Sequence, residues 1–257
     1  MAGRPVDPPY ESVTAVPGGP PETVERFGRP FRHFAVAISA GAMAGAWARQ
    51  ENAPARAAVT VEREVSPLGR LGQHWHGSPE STLSLAVVLR PSLPPEEADV
   101  AWLVAGLGAI GAEAMSGREL SAWWPDAVVD AGDEVVATTK AEVQLGPGEV
   151  RSAVVSLRLD LERLGLMVEQ RDDLLEAVLR AVDEATAALA EGPQAVAAAY
   201  ERRCRLIGRR LKVRLMPKGE TRGVARGVDR SGRLQLASAT GMVERITVDM
   251  LRQFEVV

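Results

Sequence analysis

The stretch SPLGRLGQHWHGSPESTLSLAVVLRP, residues 66–91, read together with WWPDAVVD, residues 123–130, decides the fold class of this chain. Gly69 and Gly72 bracket Arg70. Glycine carries no Cβ and tolerates positive φ, so a guanidinium sits here in a loop whose backbone can approach a ligand closely. Past Trp75 the chain runs into Thr82, Leu83, Ser84, Leu85, Ala86, Val87, Val88 and Leu89, an apolar run of strand length. A glycine loop feeding an apolar strand has the make of an anion-binding loop from which much of the charge has gone.

Upstream of that loop, Phe34, Val36 and Ile38 alternate as a strand, and Ser39, Ala40 and Gly41 open an alanine-rich helix through Trp47 and Arg49, with Ser39 placed to cap it. Ala57 to Glu62 is the next strand. Residues 1–30 hold Pro5, Pro8, Pro9, Pro17, Pro20, Pro21 and Pro30 among glycines, with no apolar period, and are expected to form a tail that buries little. Downstream, Pro94 and Pro95 followed by Glu96 and Glu97 start a helix, since the first turn has no donors to lose and its dipole favours acids. Val100, Leu103, Val104, Leu107 and Ile110 continue it at helical spacing.

A hairpin follows. Val135, Ala137, Ala141, Val143 and Leu145 share one face, Gly146, Pro147 and Gly148 turn the chain, and Ala153, Val155, Leu157, Leu159 and Leu161 resume that face, which predicts a half-buried antiparallel sheet. Leu174, Leu175, Val178, Leu179, Val182 and Leu189 predict a helix over 171–190, and Gly192 and Pro193 separate it from a shorter one ending near Arg205. After Gly208 the period returns to two, and the last part of the chain predicts four or five short strands, a small barrel of the SH3-like kind. The expected architecture is α+β: a mixed, largely antiparallel sheet with packed helices over 31–205, then the barrel over 206–257.

The order of these pieces resembles the biotin protein ligase family, over residues 32–257 and best in the C-terminal part. That family carries a GRGRRGRxW loop, a strand reading roughly LYLSVxLRP, a KWPND motif and a small C-terminal barrel. The resemblance implies a class II synthetase-like biotin/lipoate ligase domain acting on biotin and ATP with magnesium, and a biotin carboxyl carrier domain as acceptor. It assigns ligand-binding places to Ser39, Gly69, Arg70, Gly72, Trp75, Trp124, Pro125 and Asp126. It also marks departures. Pro67, Leu68 and Leu71 stand where the family's loop has glycine and arginine, Asp126 and Ala127 stand where it has Asn-Asp, and Glu134 stands at its adenylation lysine. Lys140, the nearest lysine, is six residues further along a strand, about 20 Å away. Two lost guanidiniums remove charge-assisted donors of about 1.5 to 3 kcal/mol each. The expectation is a biotin protein ligase-like protein with doubtful activity. The alternatives are a non-catalytic ligand-binding or protein-interaction module on the same fold and, third, a lipoate or octanoate ligase.

Composition bounds the rest. The 257 residues are 46% hydrophobic and carry a net charge of −4, which supplies no basic footprint for nucleic acid or anionic lipid. No helix-turn-helix is expected ahead of the sheet, so repressor function is set aside. The absence of a long uninterrupted apolar run and of a signal-like start points to a cytoplasmic chain without membrane partners. The single cysteine, Cys204, reads as a partly buried small hydrophobe on a helix. His74 and His76 flank Trp75 on one face but lack further ligands, so no metal is assigned. The oligomeric state is open.

Overall fold

The computed structural model describes residues 21–75 and 77–257. His76 and residues 1–20, which hold most of the expected tail, lie outside the described part. An eight-stranded mixed sheet is built from β1 (Val24–Arg26), β2 (Arg29–Ala37), β3 (Ala58–Glu64), β4 (Thr82–Leu89), β5 (Ser121–Trp123), β6 (Ala127–Val129), β7 (Val135–Gly146) and β8 (Glu149–Asp160), in the order β1-β2-β3-β4-β8-β7-β6-β5. Only β2 and β3 run parallel, joined through helix α1 (Ala40–Gln50); the other neighbours are antiparallel. Five further strands, β9 (Arg210–Leu215), β10 (Glu220–Val228), β11 (Leu234–Ala237), β12 (Val243–Ile246) and β13 (Leu251–Val256), form an antiparallel sheet in the order β12-β11-β10-β9-β13, consistent with an SH3-like unit.

Helices cover both faces of the large sheet. On one lie α2 (Val100–Ile110), the short α3 (Glu113–Ser116), α5 (Arg171–Glu191) and α6 (Pro193–Arg203); the one-turn α4 (Leu161–Leu164) follows β8. Leu85, Val87, Val155, Leu157 and Leu159 point into that layer. On the other face α1 packs Ala40, Ala44, Trp47 and Ala48 onto Val59, Val61, Ala86, Val88 and Val154. The expected half-buried hairpin is therefore corrected: β8 is buried on both sides from Ser152 to Leu159, because α1 covers the face that alternation assigned to solvent. Conversely, Val36 near the end of β2 and Ile38 just past it are 39% and 60% exposed, and Leu145 at the hairpin tip is 56% exposed. Pro95–Ser116 has the length and apolarity of a membrane span, and α2 uses that apolarity in the core, where it is buried almost all round.

The expected tail also ends too late. Val24–Arg26 pairs with Arg29–Phe31 around a tight turn, Arg26 bonds Asp172 at 2.7 Å, and Arg29 is buried against Asp183. Cys204 sits just past the C-terminus of α6, buried rather than half-buried, and burial raises its thiol pKa.

Polar anchors tie the small sheet to the large one. Trp124 is fully buried and its indole N–H donates to the Gly232 carbonyl at 3.0 Å. The Val248 amide donates to the Asp99 carboxylate at 3.2 Å, Arg230 pairs with buried Glu97, and Trp123 stacks on Phe254.

Candidate functional site

The loop of residues 66–75 lies over the α1-bearing face of the sheet and contributes to two clefts. Its conformation follows from three residues. Leu71 and Gly72 both take left-handed backbone, with φ of 56° and 70°, which suits the glycine and strains the leucine. At Gly69 a Cβ would meet Trp75 Nε1 at 2.3 Å, so the missing side chain is what lets the indole lie against the loop backbone.

The first cleft has a volume of about 620 Å³. Its floor is the polar row of β7 and β8, Thr138 with Arg158 and Asp160, and Thr82 of β4; Gly69, Arg70, Trp75, Asp126 and Arg163 wall it. Three guanidiniums thus converge, and each is already held. Arg70 donates through Nε to Asp126 at 2.9 Å and through Nη1 to the Leu251 carbonyl, with its side chain 10% exposed. Arg158 donates to Glu64 at 2.8 Å in a pair almost wholly buried, while the other Glu64 oxygen accepts from the Ala40 amide at the start of α1. Arg163 donates to the Val135 carbonyl at 2.8 Å and faces Asp160 at 3.5 Å. The second cleft, about 460 Å³, lies along the same strands toward the hairpin, between α1 and Lys140, Glu142, Gln144 and Ser152.

The sequence-marked residues are therefore dispersed. Gly69, Arg70, Trp75 and Asp126 meet in the first cleft. Ser39 borders the second and caps α1, its hydroxyl accepting from the Ala42 amide at 3.1 Å. Gly72 is exposed and lines neither cleft. Trp124 and Pro125 are both buried, and the Trp124 indole is bonded to Gly232; neither lines the first cleft. Arg70, which lines the first cleft, is held between Asp126 and β13. Glu134 lies just before β7 with its carboxylate 77% exposed, outside the cleft lining. Among the described residues no cluster of His, Cys, Asp and Glu could hold a metal ion.

Arg158, Asp160, Arg163 and Glu64 were missed. Their signal was present: Ser156, Arg158 and Asp160 share one parity in a strand otherwise apolar, and charge on a doubly covered strand demands a partner.

Residues 206–249 match the family described as biotin protein ligase C terminal domain. The bifunctional ligase/repressor BirA of Bacillus spizizenii is 25% identical over 123 residues, 48% of this chain and 35% of that protein. BirA of Bacillus subtilis is 23% identical over 113 residues, 44% of this chain and 34% of that protein. The matched stretch thus spans about a third of either relative's length. The Aquifex aeolicus biotin protein ligase in complex with biotin and ATP superposes with a TM-score of 0.66 at 18% identity, covering 88% of this chain and 99% of that one. A biotin protein ligase-like protein of unknown function from Silicibacter sp. also scores 0.66, at 17% identity over 89% and 98%. The fold is that of a biotin protein ligase. Residues 206–249 thus match that family's C-terminal domain, and the BirA relatives resemble a stretch of just under half of the chain.

Proposed function

We propose that this protein keeps the biotin protein ligase scaffold as a ligand-binding module and does not carry out ATP-dependent biotinylation of a carrier protein at a useful rate. The observation that carries this reading is the pairing of all three cleft guanidiniums with carboxylates, Arg70 with Asp126, Arg158 with Glu64 and Arg163 with Asp160. Adenylation needs cations free to gather around a developing charge on phosphorus, preorganised before the reaction. Here each cation would first have to leave a carboxylate, and for Arg158 that means breaking a buried pair. Releasing Arg70 would also undo its bond to β13. The residues present do not fit a magnesium-bound triphosphate, because the two acids of the lining, Asp126 and Asp160, already serve arginines. Glu134 adds a negative charge beside the cleft mouth, where cationic help would be needed.

The cleft is suited to a small, largely neutral ligand lying on Trp75, Val136 and Ala137, with hydroxyl contacts from Thr82 and Thr138. The second reading, an active ligase making biotinyl-AMP and passing biotin to a carboxyl carrier domain, draws on the Aquifex aeolicus enzyme having been captured with biotin and ATP. One experiment separates the two. Purified protein incubated with labelled biotin, ATP and magnesium, with a carrier domain in a parallel tube, should yield neither biotinyl-AMP nor labelled carrier. Stoichiometric adenylate would refute the proposal.

A further inference from the structure

We propose that the outward face of the small sheet is a docking site for an extended, carboxylate-rich segment of another protein, whatever occupies either cleft. The charge of this chain is divided unevenly. Residues 206–257 hold eleven arginines and lysines against five acids, a surplus of six, whereas residues 1–205 hold nineteen against twenty-nine, a deficit of ten. The net charge of −4 therefore conceals a basic unit joined to an acidic one. Arg209 and Arg230 answer Asp133 and Glu97 from the acidic part, which still leaves a surplus of four on the small sheet and its turns.

Strand register gathers part of this charge on one side. Leu211 and Val213 of β9 are buried in the small core, so Arg210, Lys212 and Arg214 share the opposite, outward side. Cross-strand pairing sets Arg222 of β10 opposite Lys212 and Val224 opposite Arg210, and carries the latter row through Ala237 of β11 to Val243 of β12. An apolar row thus lies beside the cations. Glu220 answers both Lys212 and Arg222, at 3.4 and 3.0 Å, and Glu255 of β13 stands opposite Lys212. Arg210 and Arg214 are exposed and make no ion pair among the described residues. They lie four residues apart on one strand, about 13 Å. A single exposed ion pair contributes little, so a partner must engage both at once. An extended protein segment repeats its side chains at the pitch of β9, so carboxylates four residues apart on one of its faces fall over Arg210 and Arg214 together. A phosphate chain fits less well. Its unbroken negative charge meets Glu220 and Glu255 on the same face, where valines and not aromatic rings stand for its bases to stack on.

The test is fluorescence anisotropy on the full chain with three labelled probes: a peptide of alternating glutamate and serine, its glutamine-serine counterpart, and a single-stranded DNA of similar length. The expected result is saturable binding of the glutamate peptide at about 50 mM salt, weakened about tenfold or more at about 300 mM. The same loss is expected for the glutamine peptide and for the double variant Arg210→Glu with Arg214→Glu. A control double variant, Arg49→Glu with Arg151→Glu, makes the same change in net charge at exposed cations elsewhere and should bind as wild type does. Matching melting curves establish that both variants fold. The proposal is overturned if the glutamate peptide does not bind saturably, if the β9 variant binds as wild type does, if the control variant loses as much, or if the DNA binds more tightly than the peptide.

Discussion

Replacing Arg158 by Met is the most telling perturbation of this fold. The Arg158 and Glu64 side chains are 7% and 2% exposed and bonded at 2.8 Å. Truncating one partner of a buried pair leaves the other charge desolvated, at a cost of about 3–5 kcal/mol. Glu64 keeps the Ala40 amide as a donor, which places the expected loss at the lower end, about 3 kcal/mol. For a chain of this size that lowers the melting temperature by about 6–12 °C. Adding Glu64→Gln removes the stranded charge while preserving an acceptor for Ala40, so the double variant should recover at least about half of the loss. Urea denaturation read by circular dichroism, with unchanged slope, measures all the corners of this cycle. If Arg158→Met melts within a degree or two of wild type, or if the single losses simply add, the pair does not hold α1 to the sheet as described.

Asp99 offers a pH test. Burial raises its carboxyl pKa above the ordinary range, with the Val248 amide opposing that shift. The charged form is thus penalised in the folded state, a penalty present above the raised folded value and relieved as pH falls through it. Asp99→Asn should melt higher than wild type near neutrality, and the gap should close in acid; a gap that widens in acid would contradict this. Gly69→Ala should displace the Trp75 ring, since the new methyl would sit 2.3 Å from its nitrogen, and a red-shifted, more quenchable tryptophan emission would report it. Glu134→Lys should leave biotinyl-AMP formation undetectable, because the cleft guanidiniums stay paired. Trp124→Phe removes the bond to Gly232 and leaves that carbonyl unsatisfied, so a loss of about 1–3 kcal/mol is expected in denaturant titration.

Much of the fold was legible because periodicity and punctuation report local structure. The proline-acid start at 94–97, the helical spacing from Leu174 to Leu189 and the strands after Gly208 all lie where expected. Alternation failed where both faces of a strand are covered: Ser156, Arg158 and Asp160 look solvent-facing until α1 and the loop are laid over them. The first cleft was half visible. Gly69, Trp75 and Asp126 could be marked from motif order, but the partners of Arg70 are residues 126 and 251, and no local pattern discloses a pairing across that separation. Trp124 shows the same limit, since nothing nearby in sequence distinguishes an indole that meets a ligand from one that meets Gly232.

Biotin-dependent exchange of labelled pyrophosphate into ATP tests the central claim most directly, because it registers reversible adenylation without needing a carrier protein or product release. With all three cleft guanidiniums committed to Asp126, Glu64 and Asp160, the expected result is exchange indistinguishable from a control lacking biotin. Biotin-stimulated exchange at a rate typical of an enzyme would contradict it.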